Sequence, residues 1–67
     1  MDLSNLRRGD RVRTAEGAIA QVLAESEDGR WIRIRYVEGT DDLDLLGTED
    51  LCEEAEIVEV VAKDGAP

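Results

Sequence analysis

Apolar and polar positions alternate along this chain with a period of two rather than 3.6, the pattern of strands rather than helices. Residues 31–36, Trp-Ile-Arg-Ile-Arg-Tyr, alternate most cleanly. Ile32, Ile34 and Tyr36 share one face, and Trp31, Arg33 and Arg35 project from the other. In residues 18–25, Ala18, Ala20, Val22 and Ala24 form an apolar set, while Ile19, Gln21, Leu23 and Glu25 form a mixed set suited to partial contact with water. Residues 10–14 make a first strand with Val12 inward, and the β-branched run 57–61 makes a last one. A short strand at 49–51 precedes it. The pattern predicts a core containing Val22, Ile32, Ile34, Leu51 and Val60.

The breaks between these segments agree with strands. Asp28-Gly29 stands between the second and third strands, where a hairpin needs positive φ, and Gly9 and Glu16-Gly17 punctuate the first strand. Residues 38–47, with Gly39, Gly47 and three aspartates around Leu43, Leu45 and Leu46, read as a long connection pinned to the body by its leucines. Residues 52–56 read as one helical turn, with a helix over 50–56 as the competing reading. The expected domain is single, spanning 1–67, with a core over about 6–61 and a frayed tail at 62–67.

Sixty-seven residues bury little surface, so the stability margin is thin and small folds of this size often need a staple. Cys52 is the only cysteine and there is no histidine, so neither an intrachain disulfide nor a zinc site of thiolate and imidazole ligands can form within one chain. A well-packed core or a dimer is left. The lone thiol suits a reducing cytosol. No signal peptide is expected from the first six residues, and no stretch approaches a transmembrane span, so a soluble cytoplasmic protein is expected.

Charge is divided along the chain. Residues 1–35 hold seven arginines against six carboxylates, a balance of +1, whereas residues 36–67 hold Lys63 against eleven carboxylates, a balance of −10. A phosphate backbone repels such a body, so nucleic acid is not an expected partner. The polarity suits a basic partner or head-to-tail self-association.

Five short strands with one helical turn before the fifth describe an all-β, SH3-like small barrel. Residues 6–14, Leu-Arg-Arg-Gly-Asp-Arg-Val-Arg-Thr, followed by Gly17, resemble the opening strand and turn of KOW, Tudor-like and related barrels. Glu49-Asp50-Leu51 is similar to their Asp-Leu step, in which leucine plugs the base of the barrel. The resemblance runs from about Leu6 to Val61 and implies architecture rather than activity. Type II dihydrofolate reductases resemble the chain at Gly9-Asp10-Arg11-Val12-Arg13. Their pore-lining Val-Gln-Ile-Tyr segment has no counterpart here, and Lys63 lies in the tail. KOW relatives bind RNA or protein, and the acidic second half of this chain favours protein.

Trp31, Arg33 and Arg35 are the candidate binding residues. An indole beside guanidiniums grips an acidic or aromatic partner by stacking and ion pairing. The same stripe also suits a wet sheet face on which arginine stems cover the indole. Asp42, Asp44, Gly47, Asp50 and Glu53 fall at positions 1, 3, 6, 9 and 12 of a calcium loop, although position five is Leu46 and position eight is Glu49. Acid-rich sequences produce such spacings by chance, so a solvated acidic loop with no metal is the favoured reading. Carboxylates at Glu49, Asp50, Glu53 and Glu54 surround Cys52 in sequence and work against a reactive thiolate, so Cys52 reads as a small, half-buried apolar residue. No cysteine–histidine or serine–histidine pair and no phosphate-binding glycine loop is present.

The sequence therefore predicts a non-catalytic, cofactor-free module that binds another protein or its own copy through Trp31, Arg33 and Arg35. The acidic loop around Asp41, Asp42 and Asp44 would set its electrostatic selectivity. A subunit-interface enzyme of the type II reductase kind and a calcium-responsive module are the alternatives.

Overall fold

Residues 2–63 are described in a computed structural model. Alternation at period two produces five strands: β1 (Arg11–Thr14), β2 (Ile19–Ala24), β3 (Trp31–Glu38), β4 (Glu49–Glu53) and β5 (Ile57–Ala62). All neighbours are antiparallel, in the order β4-β3-β2-β1-β5, and short 3-10 turns at Leu3–Asn5, Leu43–Leu45 and Glu54–Glu56 provide the only helical structure among the described residues. The predicted all-β architecture is found, and the strand order is compatible with an SH3-like fold.

Edge strands β4 and β5 are separated in sequence only by Glu54–Glu56. A flat sheet of five strands would hold its edges roughly 19 Å apart, four steps of about 4.8 Å. A three-residue 3-10 turn rises only about 6 Å. The sheet must therefore curl, bringing its edges towards each other at this end and enclosing one face. That face holds the core: Val12, Ala20, Val22, Ile32, Ile34, Cys52 and Ile57 are buried, with Tyr36 and Val60 partly buried against them.

Leu3 and Leu6, both buried, join the core from the segment before β1. The predicted boundary at about residue 6 therefore falls too late. Asp2 caps this segment, its carboxylate accepting the Ser4 N–H at 2.9 Å. Asp10 is 2 % exposed and ties the segment down. Its Oδ2 accepts the Arg7 N–H at 3.0 Å and the Lys63 ammonium at 3.3 Å, while Lys63 also donates to the Asn5 carbonyl at 3.4 Å. The frayed tail is expected from residue 62, but Ala62 lies in β5 and Lys63 is engaged. The remainder of that tail, 64–67, lies outside the described residues.

Two further expectations are corrected. Leu51 is 49 % exposed and Cys52 takes the core position, because the β3–β4 register sets Cys52 opposite Ile32 and Leu51 opposite Arg33. The leucines of the long connection also do not pin it uniformly. Leu43 is exposed, Leu46 is partly so, and Leu45 is half-buried. Backbone bonds hold the connection instead: Gly47 N–H donates to the Tyr36 carbonyl at 2.8 Å and Tyr36 N–H to the Thr48 carbonyl at 3.1 Å. At Gly39, φ is +79° and a Cβ would stand 2.9 Å from the Gly17 carbonyl oxygen, so both backbone conformation and space demand glycine.

Candidate functional site

Strand alternation sends Trp31, Arg33 and Arg35 to the outward face of β3, all three exposed, as the sequence predicted. The hairpin before β3 fixes where the indole starts. Asp28 Oδ1 accepts the Arg30 N–H at 2.9 Å and the Trp31 N–H at 3.4 Å, and these bonds, the Arg30 one foremost, hold its carboxyl below the usual range.

Register brings β4 alongside. Glu53 stands opposite Trp31, Leu51 opposite Arg33, and Glu49 opposite Arg35. Glu49 serves both guanidiniums, with Arg35 at 3.5 Å and Arg33 at 3.9 Å. These pairs are about half exposed, so each contributes no more than about 1 kcal/mol and leaves the arginines available to a partner. Leu51 adds apolar surface next to Trp31, which is itself 45 % exposed. The outward side chain of Leu51 is the member of this face that sequence reasoning assigned to the core. Its signal was the alternation that places Leu51 on the same side of the strand as Glu49 and Glu53.

On the other side of β3, Arg35 is flanked by Gln21 of β2, which pairs in turn with Arg11 of β1, and Arg13 lies outward on β1 beside Glu59 of β5 in an ion pair. Four arginines therefore occupy one region of the outward face. Its opposite end is acidic: a shallow hollow of about 310 Å³ beside Trp31, Arg33 and Leu51 is also lined by Glu25, Glu27 and Asp28 of the hairpin.

The candidate calcium residues are not gathered. Asp42 caps the 3-10 turn, accepting the Asp44 N–H at 3.0 Å. Asp50 accepts the Tyr36 hydroxyl at 3.2 Å, whereas Glu53, three residues along β4, lies on the other side of the strand. Among the described residues no group of three or more acidic, cysteine or histidine side chains is placed to hold a metal ion.

A second concavity, about 190 Å³, lies where the sheet curls and is lined by Thr14, Glu16, Tyr36, Asp50, Cys52 and Glu56 among others. Burial pushes the Cys52 thiol up to about 12, helped by its hydrogen bond to Glu56 and the nearby carboxylates. Burial likewise pushes the Tyr36 hydroxyl up to about 12, with Cys52 and Asp50 adding to the effect. Both groups therefore hold their protons at neutral pH. A thiol in that state is a packing group, not a nucleophile. Cys52 is more deeply buried than the half-buried placement expected of it.

Compared with models of protein families, with curated proteins and with solved structures, the chain matches none. No helix among the described residues is long and apolar enough to cross a membrane.

Proposed function

We propose that this chain is a non-catalytic protein-interaction module of the SH3-like, KOW or Tudor-like kind, whose contact face is the outward side of β3 and β4. The observation that carries this reading is the stripe of Trp31, Arg33 and Arg35 set beside exposed Leu51. Tryptophan and arginine dominate binding energy at protein interfaces, and here both stand on hydrogen-bonded strands that need little ordering on contact. The strand order and the Gly9-Asp10-Arg11-Val12 opening support the family resemblance. A protein surface suits the face better than nucleic acid, because the arginines lie among carboxylates on a chain of net charge −9. The acidic connection carrying Asp41, Asp42 and Asp44 repels acidic competitors from that side. A reducing cytosol suits a chain whose one thiol, Cys52, is buried and unpaired in any disulfide, and the module needs no cofactor or membrane.

The test is capture by the immobilised chain from a cytosolic extract supplemented with its own soluble form. Arg33→Glu/Arg35→Glu should reduce the retained protein at least tenfold while circular dichroism and melting show a folded β protein. Arg33→Gln/Arg35→Gln serves if the double reversal unfolds, since it removes both charges without placing new ones beside Glu49. Capture unchanged by a folded variant, or no capture of any protein including the chain itself, overturns the reading.

A further inference from the structure

The outward face carries both signs of charge in a fixed order, and that order decides what can lie on it. At one end the row Arg11–Gln21–Arg35–Glu49 crosses four strands, with Arg33 one step along β3. At the other end stand Glu53, opposite Trp31, and the hairpin carboxylates Glu27 and Asp28. Along β3 the exposed Trp31, at 45 %, lies between the arginines and the hairpin carboxylates, and along β4 the exposed Leu51, at 49 %, lies between Glu49 and Glu53, opposite Arg33. Glu49 is shared by two guanidiniums at 3.5 and 3.9 Å, so each arginine is under-compensated within the chain.

We infer that the occupant of this face is a second copy of the same chain, stacked face to face about a two-fold axis near Trp31 and Leu51. The inference rests on the proposed binding role of the face. In a two-fold contact, residue i of one copy meets residue j of the other and the reverse contact follows by symmetry. A patch with arginines at one end, carboxylates at the other and apolar residues between them satisfies that condition when one copy is turned end for end. Arg33 and Arg35 of each copy then face Glu53 and Glu27 of its partner, and Trp31 and Leu51 of both copies meet in the middle, shielded from water. A uniformly acidic partner is a poorer fit, because Glu27, Asp28, Glu49 and Glu53 oppose it across the same patch. A uniformly basic one is opposed by the four arginines. Only a surface with the two signs in reversed order matches both ends, and the chain's own face is such a surface. Elsewhere two copies, each of net charge −9, repel.

Sedimentation velocity from about 10 μM to about 1 mM, the range in which weak homodimers are found, tests the inference by charge exchange. The parent should shift from monomer to dimer as concentration rises. Arg33→Glu/Arg35→Glu and, separately, Glu27→Lys/Glu53→Lys should each weaken self-association at least tenfold, because each places like charges opposite one another. An equimolar mixture of the two variants should regain the dimer, since every contact across the two-fold is then attractive again. Leu51→Asp, at an exposed position that leaves the core intact, should abolish the dimer alone and in the mixture. A parent that stays monomeric throughout, or a mixture no better than its separate components, overturns the inference. If Arg33→Glu/Arg35→Glu still removes capture of another protein in that event, the binding role of the face stands and its occupant is a different chain. If capture is indifferent to the variant, both readings fall.

Discussion

Replacing Ile34 by alanine tests the placement of the core and, through it, the placement of the binding stripe. Ile34 is fully buried on β3, paired with Val22 of β2 on one side and with Asp50 of β4 on the other. The substitution removes three carbon groups, worth about 0.8 kcal/mol each on burial, so transfer alone costs about 2.4 kcal/mol. A cavity term brings the total into the usual range of about 2–5 kcal/mol. A domain of this length has a total stability of roughly 3–10 kcal/mol. Ile34→Ala therefore removes a large share of it and can unfold the chain outright. Ile34→Val, expected to cost about 0.5–1.5 kcal/mol, keeps a folded comparison in hand. Urea unfolding followed by Trp31 fluorescence gives the free energies, and Leu51→Ala, at an exposed position, should cost less than about 1 kcal/mol. A loss below about 1 kcal/mol for Ile34→Ala, or a larger loss for Leu51→Ala than for Ile34→Ala, would mean that the two faces of β3 and β4 are reversed. Trp31, Arg33 and Arg35 would then point inward, because a one-residue slip exchanges the faces of a strand.

Stability at neutral pH should rise with sodium chloride, since eleven carboxylates crowd residues 36–67 and salt screens repulsion beyond roughly 10 Å; a flat or falling melting temperature would show that ion pairs such as Arg13–Glu59 dominate. In alkali the chain should lose stability. The Cys52 thiol ordinarily loses its proton near 9.0 and keeps it in the fold until about 12, so the unfolded chain binds fewer protons between these values and unfolding gains as pH rises. Cys52→Ala should flatten that part of the melting-temperature profile, whereas an unchanged slope would assign it to Tyr36, whose hydroxyl is likewise raised to about 12. Asp10→Ala should cost about 2–3 kcal/mol in urea unfolding, because a buried carboxylate accepting from the Arg7 N–H and the Lys63 ammonium is lost; a cost under about 0.5 kcal/mol would show that this link between the N-terminal segment and β5 contributes nothing.

Where the strands lie was legible because alternation is a local property. Ile32 and Ile34 against Trp31, Arg33 and Arg35 needed no partner strand to be read, and the outward stripe followed directly. Local pattern failed at β4, where Leu51 and Cys52 are adjacent and both apolar. Which of them turns inward is decided by register with Ile32 and Arg33, some twenty residues away in sequence. It failed again at Leu3 and Leu6. Their spacing of three, which a 3-10 turn eclipses onto one side, carries no strand signal, yet both are buried. The calcium spacing failed for the opposite reason. Offsets along a chain imply convergence only if the intervening backbone forms the loop, and here Asp50 and Glu53 sit on a strand that turns them to opposite sides.

Charge shows most clearly how folding alters what the linear order implies. Along the chain, arginines precede acid, which suggests a molecule with a basic head and an acidic tail. Topology undoes that separation. The acidic strand β4 pairs with arginine-bearing β3, and β5 brings Glu59 beside Arg13 of β1, so both edge strands from the acidic half lie next to the basic half. The residual polarity runs instead within one face, from Arg11 and Arg35 at one end to the hairpin carboxylates and Glu53 at the other. A head-to-tail chain of copies requires opposite charges on separate surfaces, whereas opposite charges within one surface favour a closed pair. That difference makes a two-fold dimer, limited to two copies, the assembly that this face supports.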